Sequence, residues 1–377
     1  MPHTVGSDLT KSVGVLDERS LETEPLTQKY NQLIAGDRFS WNSNVKFLRT
    51  LGTGGQGTVF LSERFGADGF QVPVAVKVFS PDRYSSPKEY DDDMARIADV
   101  ATSVSQIRHR NLLGINHFLN RDRIRVMIME WVQGYDLRRL LTSRCYGIVK
   151  QRVSRKMWEV YNEQLVTCGP VQPRFRAQVT LMIMKEIVES LVALHDEGII
   201  HGDIKPSNIM LNRAGSAKLI DIGSAVRQGE KSWRNGCTPT YASVDVLKGA
   251  APTAESDLVS LGYTAMELLT GKPLFSDVLD LATLIDSKRQ LENDFIECLP
   301  EEVLGDDNLI DLLACLLRSE RFVAPAGFCA TDLVQEMLVD VQTATPTSLI
   351  KVWVDELWEV DQCQEIEVDD LDPLSEF

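Results

Sequence analysis

Eight consecutive residues do most to limit what this chain can become: His201-Gly202-Asp203-Ile204-Lys205-Pro206-Ser207-Asn208. Thirteen residues after Asn208 comes Asp221-Ile222-Gly223, delivered by the strand-like run Ala217-Lys218-Leu219-Ile220. Taking ~5% per residue type, the five fixed positions of H-x-D-x-K-P-x-N recur by chance in about 10⁻⁴ of chains of this length. The set suits phosphoryl transfer. That chemistry needs an Asp to orient the attacking hydroxyl, hard oxygen ligands for Mg²⁺, and a cation for the developing charge.

A glycine pattern upstream points the same way. Gly52-Thr53-Gly54-Gly55-Gln56-Gly57-Thr58-Val59 fits G-x-G-x-x-G-x-V. Glycines let a backbone approach phosphate oxygens and aim N–H groups at them. Alone the pattern is weak, since at ~7% Gly it arises by chance in roughly one such chain in ten. A dinucleotide site would need a helix straight after the glycines, whereas here a strand follows. The third strand, Gln71–Phe79, carries Lys77 among apolar neighbours, twenty residues past Gly57. A solitary lysine there would read as a snorkelling surface residue.

Together these motifs resemble the eukaryotic-type serine/threonine protein kinase family over roughly residues 45–325. The resemblance implies a bilobal α+β fold, a small antiparallel β-sheet lobe with one helix and a larger helical lobe. It implies transfer of the γ-phosphoryl of ATP, with Mg²⁺, to protein Ser or Thr hydroxyls. Carried over by position, Gly52, Gly54 and Gly57 cover the phosphates and Lys77 pairs with the α/β-phosphates. Asp203 is the base or hydroxyl-orienting group, and Lys205 neutralises the γ-phosphate and favours Ser/Thr substrates. Asn208 and Asp221 bind Mg²⁺. Leu51, Val59, Ala75 and Met210 sandwich adenine, Met129 is the gatekeeper, Glu130 and Val132 offer backbone groups, and Asp136 contacts the ribose. Thr238-Pro239-Thr240-Tyr241 resembles the segment receiving a peptide, and Asp257 falls twelve residues after Asp245 as the family spaces its buried helix aspartate. The rivals are a pseudokinase scaffold that binds nucleotide and partner proteins, and a small-molecule kinase. Small-molecule kinases share His-Gly-Asp but usually lack the Lys-Pro and the Thr-Pro-x-Tyr.

The chain also departs from the family. Where the helix glutamate is expected stands Val100, so the adjacent Asp99 is expected to pair with Lys77 instead. Gly202 replaces an Arg that meets a phosphate on the activation loop. This marks the non-RD subclass and activity independent of loop phosphorylation. Ile222 replaces Phe and keeps an apolar role. Ser243-Val244-Asp245 replaces Ala-Pro-Glu, with Arg321 as the expected partner of Asp245.

The expected organisation is a flexible arm over 1–42, an N-lobe over 43–132, a C-lobe over 133–325 and a helical, acidic extension over 326–377. The C-lobe carries an insertion, 143–175, that is basic and contains Trp158 and Tyr161. It reads as a solvated loop, as an intramolecular partner for the acidic tail or as a docking surface for a substrate. Helices are expected over 87–108, 178–195, 257–269, 308–318 and 329–342 from apolar periodicity. Of a net charge of −16, ten acids lie beyond Lys351, where no Lys or Arg follows, leaving −6 on the rest. That tail disfavours nucleic-acid binding and is a candidate contact for a basic partner. Trp353 and Trp358 are expected to anchor it, and His195 to pack rather than react. Seven cysteines without a CxxC pair, no signal-peptide pattern and no long apolar run indicate reduced thiols, no membrane span and a cytoplasmic setting.

Overall fold

From Val74 to Phe79 every residue is buried, apolar positions alternating with Ala75 and Lys77, so both faces of this strand are covered. The computed structural model describes residues 18–36, 38–39, 45–230, 237–318, 334–338 and 347–363. It divides the chain into two compact units, Met1–Ala98 with Ile115–Trp131, and Asp99–Gly114 with Val132–Phe377.

In the first unit the described residues form a six-stranded sheet. Its strands are β1 (Arg38–Phe39), β2 (Val45–Gly54), β3 (Gly57–Phe65), β4 (Gln71–Phe79), β5 (Ile115–Arg121) and β6 (Ile124–Glu130). The order is β1-β2-β3-β4-β6-β5, and every pairing is antiparallel. Phe47 stacks on Phe60 across β2 and β3, their rings 4.4 Å apart. The helix α1 (Glu18–Ile34) lies in the stretch expected to be a flexible arm. Thr23, Leu26 and Tyr30, at a spacing of three and four, put one buried stripe on it. Tyr30 and Thr58 share a hydroxyl hydrogen bond of 3.0 Å, and Thr27 donates to Asp82 at 2.8 Å. Three anchoring residues among polar ones, with Pro25 inside, explain why the polar composition suggested an arm. The helix α2 (Pro87–Val104) buries Tyr90, Met94, Ile97, Val100, Ala101 and Val104, and the boundary between units falls within it.

The second unit is mainly helical. The insertion is not a loop but two helices, α3 (Ser143–Arg152) and α4 (Arg155–Gln164). Thr142 and Ser154 cap them, each side chain accepting from a backbone N–H three residues on. Then come α5 (Ala177–Asp196), α6 (Ala254–Thr270), α7 (Leu281–Cys298), α8 (Asp307–Leu316) and α9 (Thr347–Cys363). Of these α6 is buried along nearly its whole length. It starts in a Thr253/Ser256 capping box and ends at Gly271, in the left-handed region. Three short strands, β7 (Gly134–Asp136), β8 (Ile209–Asn212) and β9 (Ala217–Leu219), make an antiparallel sheet in the order β9-β8-β7. The expected helix over 329–342 is described only at 334–338, where it is helical.

The acidic end of the described chain is clasped by the basic insertion and its neighbours. On α9, Trp353 is 2% exposed and sits among Tyr146, Trp158 and Tyr161, with centroid distances of 5.4–6.4 Å. Trp358 meets Tyr135 edge-on at 6.1 Å. Arg152 reaches Glu356 and Glu359 at 2.8 and 2.7 Å, Arg213 reaches Asp355 at 2.6 Å, and Arg139 reaches Asp361 at 2.9 Å. Among the described residues no helix is long and apolar enough to cross a membrane.

Candidate active site

The glycine-rich hairpin belongs to the first unit. β2 and β3 pair Gly52 with Val59, Thr53 with Thr58 and Gly54 with Gly57. Gly57 has φ +134°, and a Cβ on it would lie 2.0 Å from the Val78 carbonyl oxygen, so no other residue fits. At Gly52 and Gly54 a Cβ would meet nothing within 4 Å, so the backbone there is open to approach. Leu51 sits at a break in register between Thr50 and Gly52. Val59 faces Lys77, Lys77 faces Met127, and Ala75 faces Met129 across successive strands. Directly opposed residues share a face, and so do residues two apart. Val59, Ala75, Lys77 and Met129 therefore line one face, and Glu130 follows at the end of β6, opposite Val74. Lys77 is 5% exposed and donates to Gln56 Oε1 at 2.7 Å.

Asp99, expected to pair with Lys77, has an arginine partner within its own unit. Asp99 is salt-bridged to Arg227 at 2.8 Å, which also donates to Ser103 Oγ at 2.7 Å. The Arg227 guanidinium holds the Asp99 carboxyl below its ordinary range. The cause is helical phase. Val100 is fully buried, and its neighbour, turned by about 100°, faces outward.

The remaining motif residues lie in the second unit, and here the geometry is tight. Asp203 Oδ1 accepts from the Thr238 backbone N–H at 3.0 Å and from the Thr238 hydroxyl at 2.7 Å. Lys205 Nζ lies 2.9 Å from Asp203 Oδ2 and donates to Thr238 Oγ1 at 2.6 Å. Asn208 Nδ2 donates to the Asp203 carbonyl at 2.8 Å and to Oδ2 at 3.0 Å. With both amide hydrogens so placed, Asn208 Oδ1 is the oxygen it can offer to a cation. The Asn208 carbonyl accepts from Ile220 N–H at 2.9 Å, which ties the loop to the residue before Asp221. Asp221 adopts φ +61°, and its Oδ1 accepts from Gly223 N–H at 2.9 Å. One carboxylate and one carboxamide fit a hard divalent ion that keeps waters and takes further oxygens from phosphate. Among the described residues no cluster of three or more His, Cys, Asp or Glu could hold a metal. Met210 pairs with Asp136 across β8 and β7. The Asp136 carboxylate caps the turn Leu137–Leu140 by accepting from Arg139 N–H, and burial raises its pKa. Val132 lies two residues before Gly134, where this sheet begins.

Asp257, 1% exposed on α6, positions the loop. Its carboxylate accepts from the backbone N–H groups of His201 and Gly202, both at 2.8 Å, and His195 Nε2 lies 3.0 Å away. Gly202 has φ +75°, with the Ser224 carbonyl 3.1 Å from a would-be Cβ, so glycine is the unstrained choice there. Arg318 meets Asp245 at 3.1 Å in an exposed pair, whereas Arg321 lies outside the described residues. The sequence reading missed two anchors of the Thr238–Tyr241 segment. Tyr241 donates to Glu267 Oε2 at 2.6 Å, and Lys288 donates to the Thr240 carbonyl at 2.6 Å. A signal existed for the second, because Lys288 occupies a position on the apolar stripe Leu284, Leu291, Phe295.

A glycine hairpin over a lysine-bearing strand in one unit, and an Asp-Lys-Asn loop followed by a cation-ready Asp in the other, define a phosphoryl-transfer architecture of the protein kinase class. The chain belongs to the protein kinase domain family, whose sequence model matches residues 45–326. It is similar to the serine/threonine-protein kinase PrkC of Bacillus subtilis, 28% identical over 244 residues, which are 64% of this chain and 32% of that protein. It is similar to the probable serine/threonine-protein kinase PknB of Lactococcus lactis at 24% identity, over 80% of this chain and 42% of the relative. The serine/threonine-protein kinase pkn2 of Myxococcus xanthus shares 28% over 66% of this chain and 27% of its own. The chain thus spans about a quarter to two fifths of the length of these relatives.

Proposed function

We propose that this chain is an ATP- and Mg²⁺-dependent serine/threonine protein kinase. The single observation that carries the reading is the cluster joining Asp203, Lys205, Asn208 and Thr238. A hydroxyl already sits on Asp203 and under Lys205, as a substrate hydroxyl must. In the reaction the substrate oxygen bonds to the γ-phosphorus, the bond to the ADP oxygen breaks, and the hydroxyl proton passes to Asp203. Lys205 neutralises the transferred group. Asn208 and Asp221 would hold the magnesium ion, which supplies charge neutralisation at the phosphates. On the first unit, Gly52, Gly54 and Gly57 offer backbone to the phosphates and Lys77 a cation. Leu51, Val59, Ala75 and Met129 give an apolar bed for adenine, with the backbone of Glu130 at its edge. On the second unit, Val132, Met210 and Asp136 serve the adenine and ribose. Rate comes from positioning and preorganised charge.

The names of the relatives support protein rather than small-molecule acceptors, as does a Thr-Pro-x-Tyr segment bonded directly to Asp203. The test uses radiolabelled ATP with Mg²⁺ and a basic protein, wild type beside Asp203→Asn. Label on protein with the wild type and a loss of at least about 10³-fold in the variant is the expected result. Equal labelling by the two overturns the assignment of Asp203.

We further propose activity without loop phosphorylation, because Gly202 offers no guanidinium to a phosphate. Phosphatase treatment is expected to leave the rate unchanged, and a loss of activity on treatment defeats this reading.

A further inference from the structure

Among the described residues, a fully buried cation lies outside the chemistry just described. Lys288, on α7, is 0% exposed, and its Nζ donates to the Thr240 carbonyl at 2.6 Å. The ammonium lies 3.9 Å from the Tyr263 ring centroid and 4.6 Å from that of Phe275. These rings meet edge-on at 5.8 Å, forming two walls of a cage. Phe275 has φ +59°, an unusual conformation for a bulky residue, and its ring lies against Lys288. Buried lysines are rare because desolvation is costly, and an aliphatic residue would fill the place without that cost. A strained aromatic wall and a buried cation on a backbone carbonyl thus converge on one segment, Thr238–Tyr241.

We infer that Lys288 is a positioning residue for the protein acceptor, fixing Thr240 so that Thr238 is held on Asp203 and the acceptor segment keeps its shape. This rests on the kinase reading above. Only Pro239 separates the residue with the anchored carbonyl from Thr238, whose groups meet Asp203 Oδ1 at 2.7 and 3.0 Å. Tyr241, next along, is held by Glu267 on α6. The segment is pinned on both sides of Pro239, and Lys288 is the cationic pin among carboxyl ones. Burial pulls its pKa from the ordinary 10.5 to about 7, while Glu292 on its own helix and Cys237, the residue before Thr238, push it back up. Tyr263 on α6 presents its ring face and donates its hydroxyl to Glu292 at 2.9 Å. Asp245 and Arg318 act on Glu292 from their own elements. Below neutral pH the ammonium makes a charge-assisted bond and keeps both aromatic walls. Above it the amine has no charge to offer the rings.

The experiment compares wild type, Lys288→Met and Phe275→Leu, measuring KM for a protein acceptor, KM for ATP, and kcat/KM from pH 6 to 9. For Lys288→Met the expected result is a rise of about tenfold or more in the acceptor KM, with ATP KM unchanged and the alkaline limb of the wild-type profile abolished. Phe275→Leu keeps the carbonyl bond but removes one wall, so its alkaline limb moves to lower pH. This second variant decides the matter if Lys288→Met does not fold. An acceptor KM and a pH profile identical to wild type in Lys288→Met overturn the inference and leave the kinase reading intact. A Phe275→Leu limb that does not move overturns it too. A wild type that labels no protein overturns both.

Discussion

Asp257 shows how much one side chain can hold. Its carboxylate receives two backbone N–H groups of the catalytic loop and faces His195, all in the interior. Asp257→Ala leaves those two donors without a partner. At ~1–3 kcal/mol per buried unsatisfied donor, the loss is about 2–6 kcal/mol. It is read as a lower urea midpoint and as lower kcat in the folded fraction; an unchanged midpoint refutes it. Lys288 has the opposite effect on stability. Its folded pKa is depressed, so between about 7 and 10.5 the unfolded chain binds the extra proton. The cost of burying the ammonium is full below pH 7 and fades as pH rises toward 10.5. Lys288→Met is therefore expected to be more stable than wild type at pH 6, with the gap closing by pH 10 in thermal unfolding. A gap that widens with pH reverses the sign argued here. Asp99 carries a residue-scale lesson. The sequence placed a carboxylate one position from the expected glutamate, but a helix turns about 100° per residue. That rotation gave it to Arg227.

At the scale of elements, the clasp of α9 on α3 and α4 combines two kinds of interaction of unequal weight. The Arg152 pairs with Glu356 and Glu359 are partly exposed, and such pairs contribute about 0–1 kcal/mol each. Trp353 is buried in an aromatic cluster, and removing such a side chain costs about 3–5 kcal/mol. Packing therefore wins. Trp353→Ala is expected to lose that much in denaturant unfolding, while raising salt from 0.05 to 0.5 M changes wild type by under about 1 kcal/mol. A strong salt effect with a mild Trp353→Ala would invert the ranking. The elements also divide into legible and illegible ones. Long stripes in α5, α6 and α2 were readable, because Leu, Ile, Val and Met recur at helical spacing. So was β4. The helix α1 was not, since its buried stripe is Thr23, Leu26 and Tyr30 among charged and polar residues. The helices α3 and α4 were hidden for a similar reason. Their buried members, Cys145, Val149 and Tyr161, are sparse in a basic sequence.

For the whole molecule, the family could be read from motifs that are contiguous in sequence, each on one short segment. The anchors beneath the acceptor segment could not, because they join residues far apart. Lys288 meets Thr240 across 48 positions and Glu267 meets Tyr241 across 26. A stripe containing one lysine marks an anomaly, but only the fold names its partner. Charge distribution shifted likewise. Asp355, Glu356, Glu359 and Asp361 are matched by arginines of the same unit, so they are spent within the fold.

The aromatic clasp has an optical consequence. Among the described residues, Trp353 Nε1 is buried with no hydrogen-bond partner, and Tyr161, also buried, stands 5.4 Å away. An indole without a polar neighbour to relax around its excited state emits toward the blue, and tyrosines this close transfer excitation to it. Subtracting the spectrum of Trp353→Phe from that of wild type isolates this emitter from the other five tryptophans. Its shift to the red would time the release of the C-terminal helix, separately from the melting of the rest.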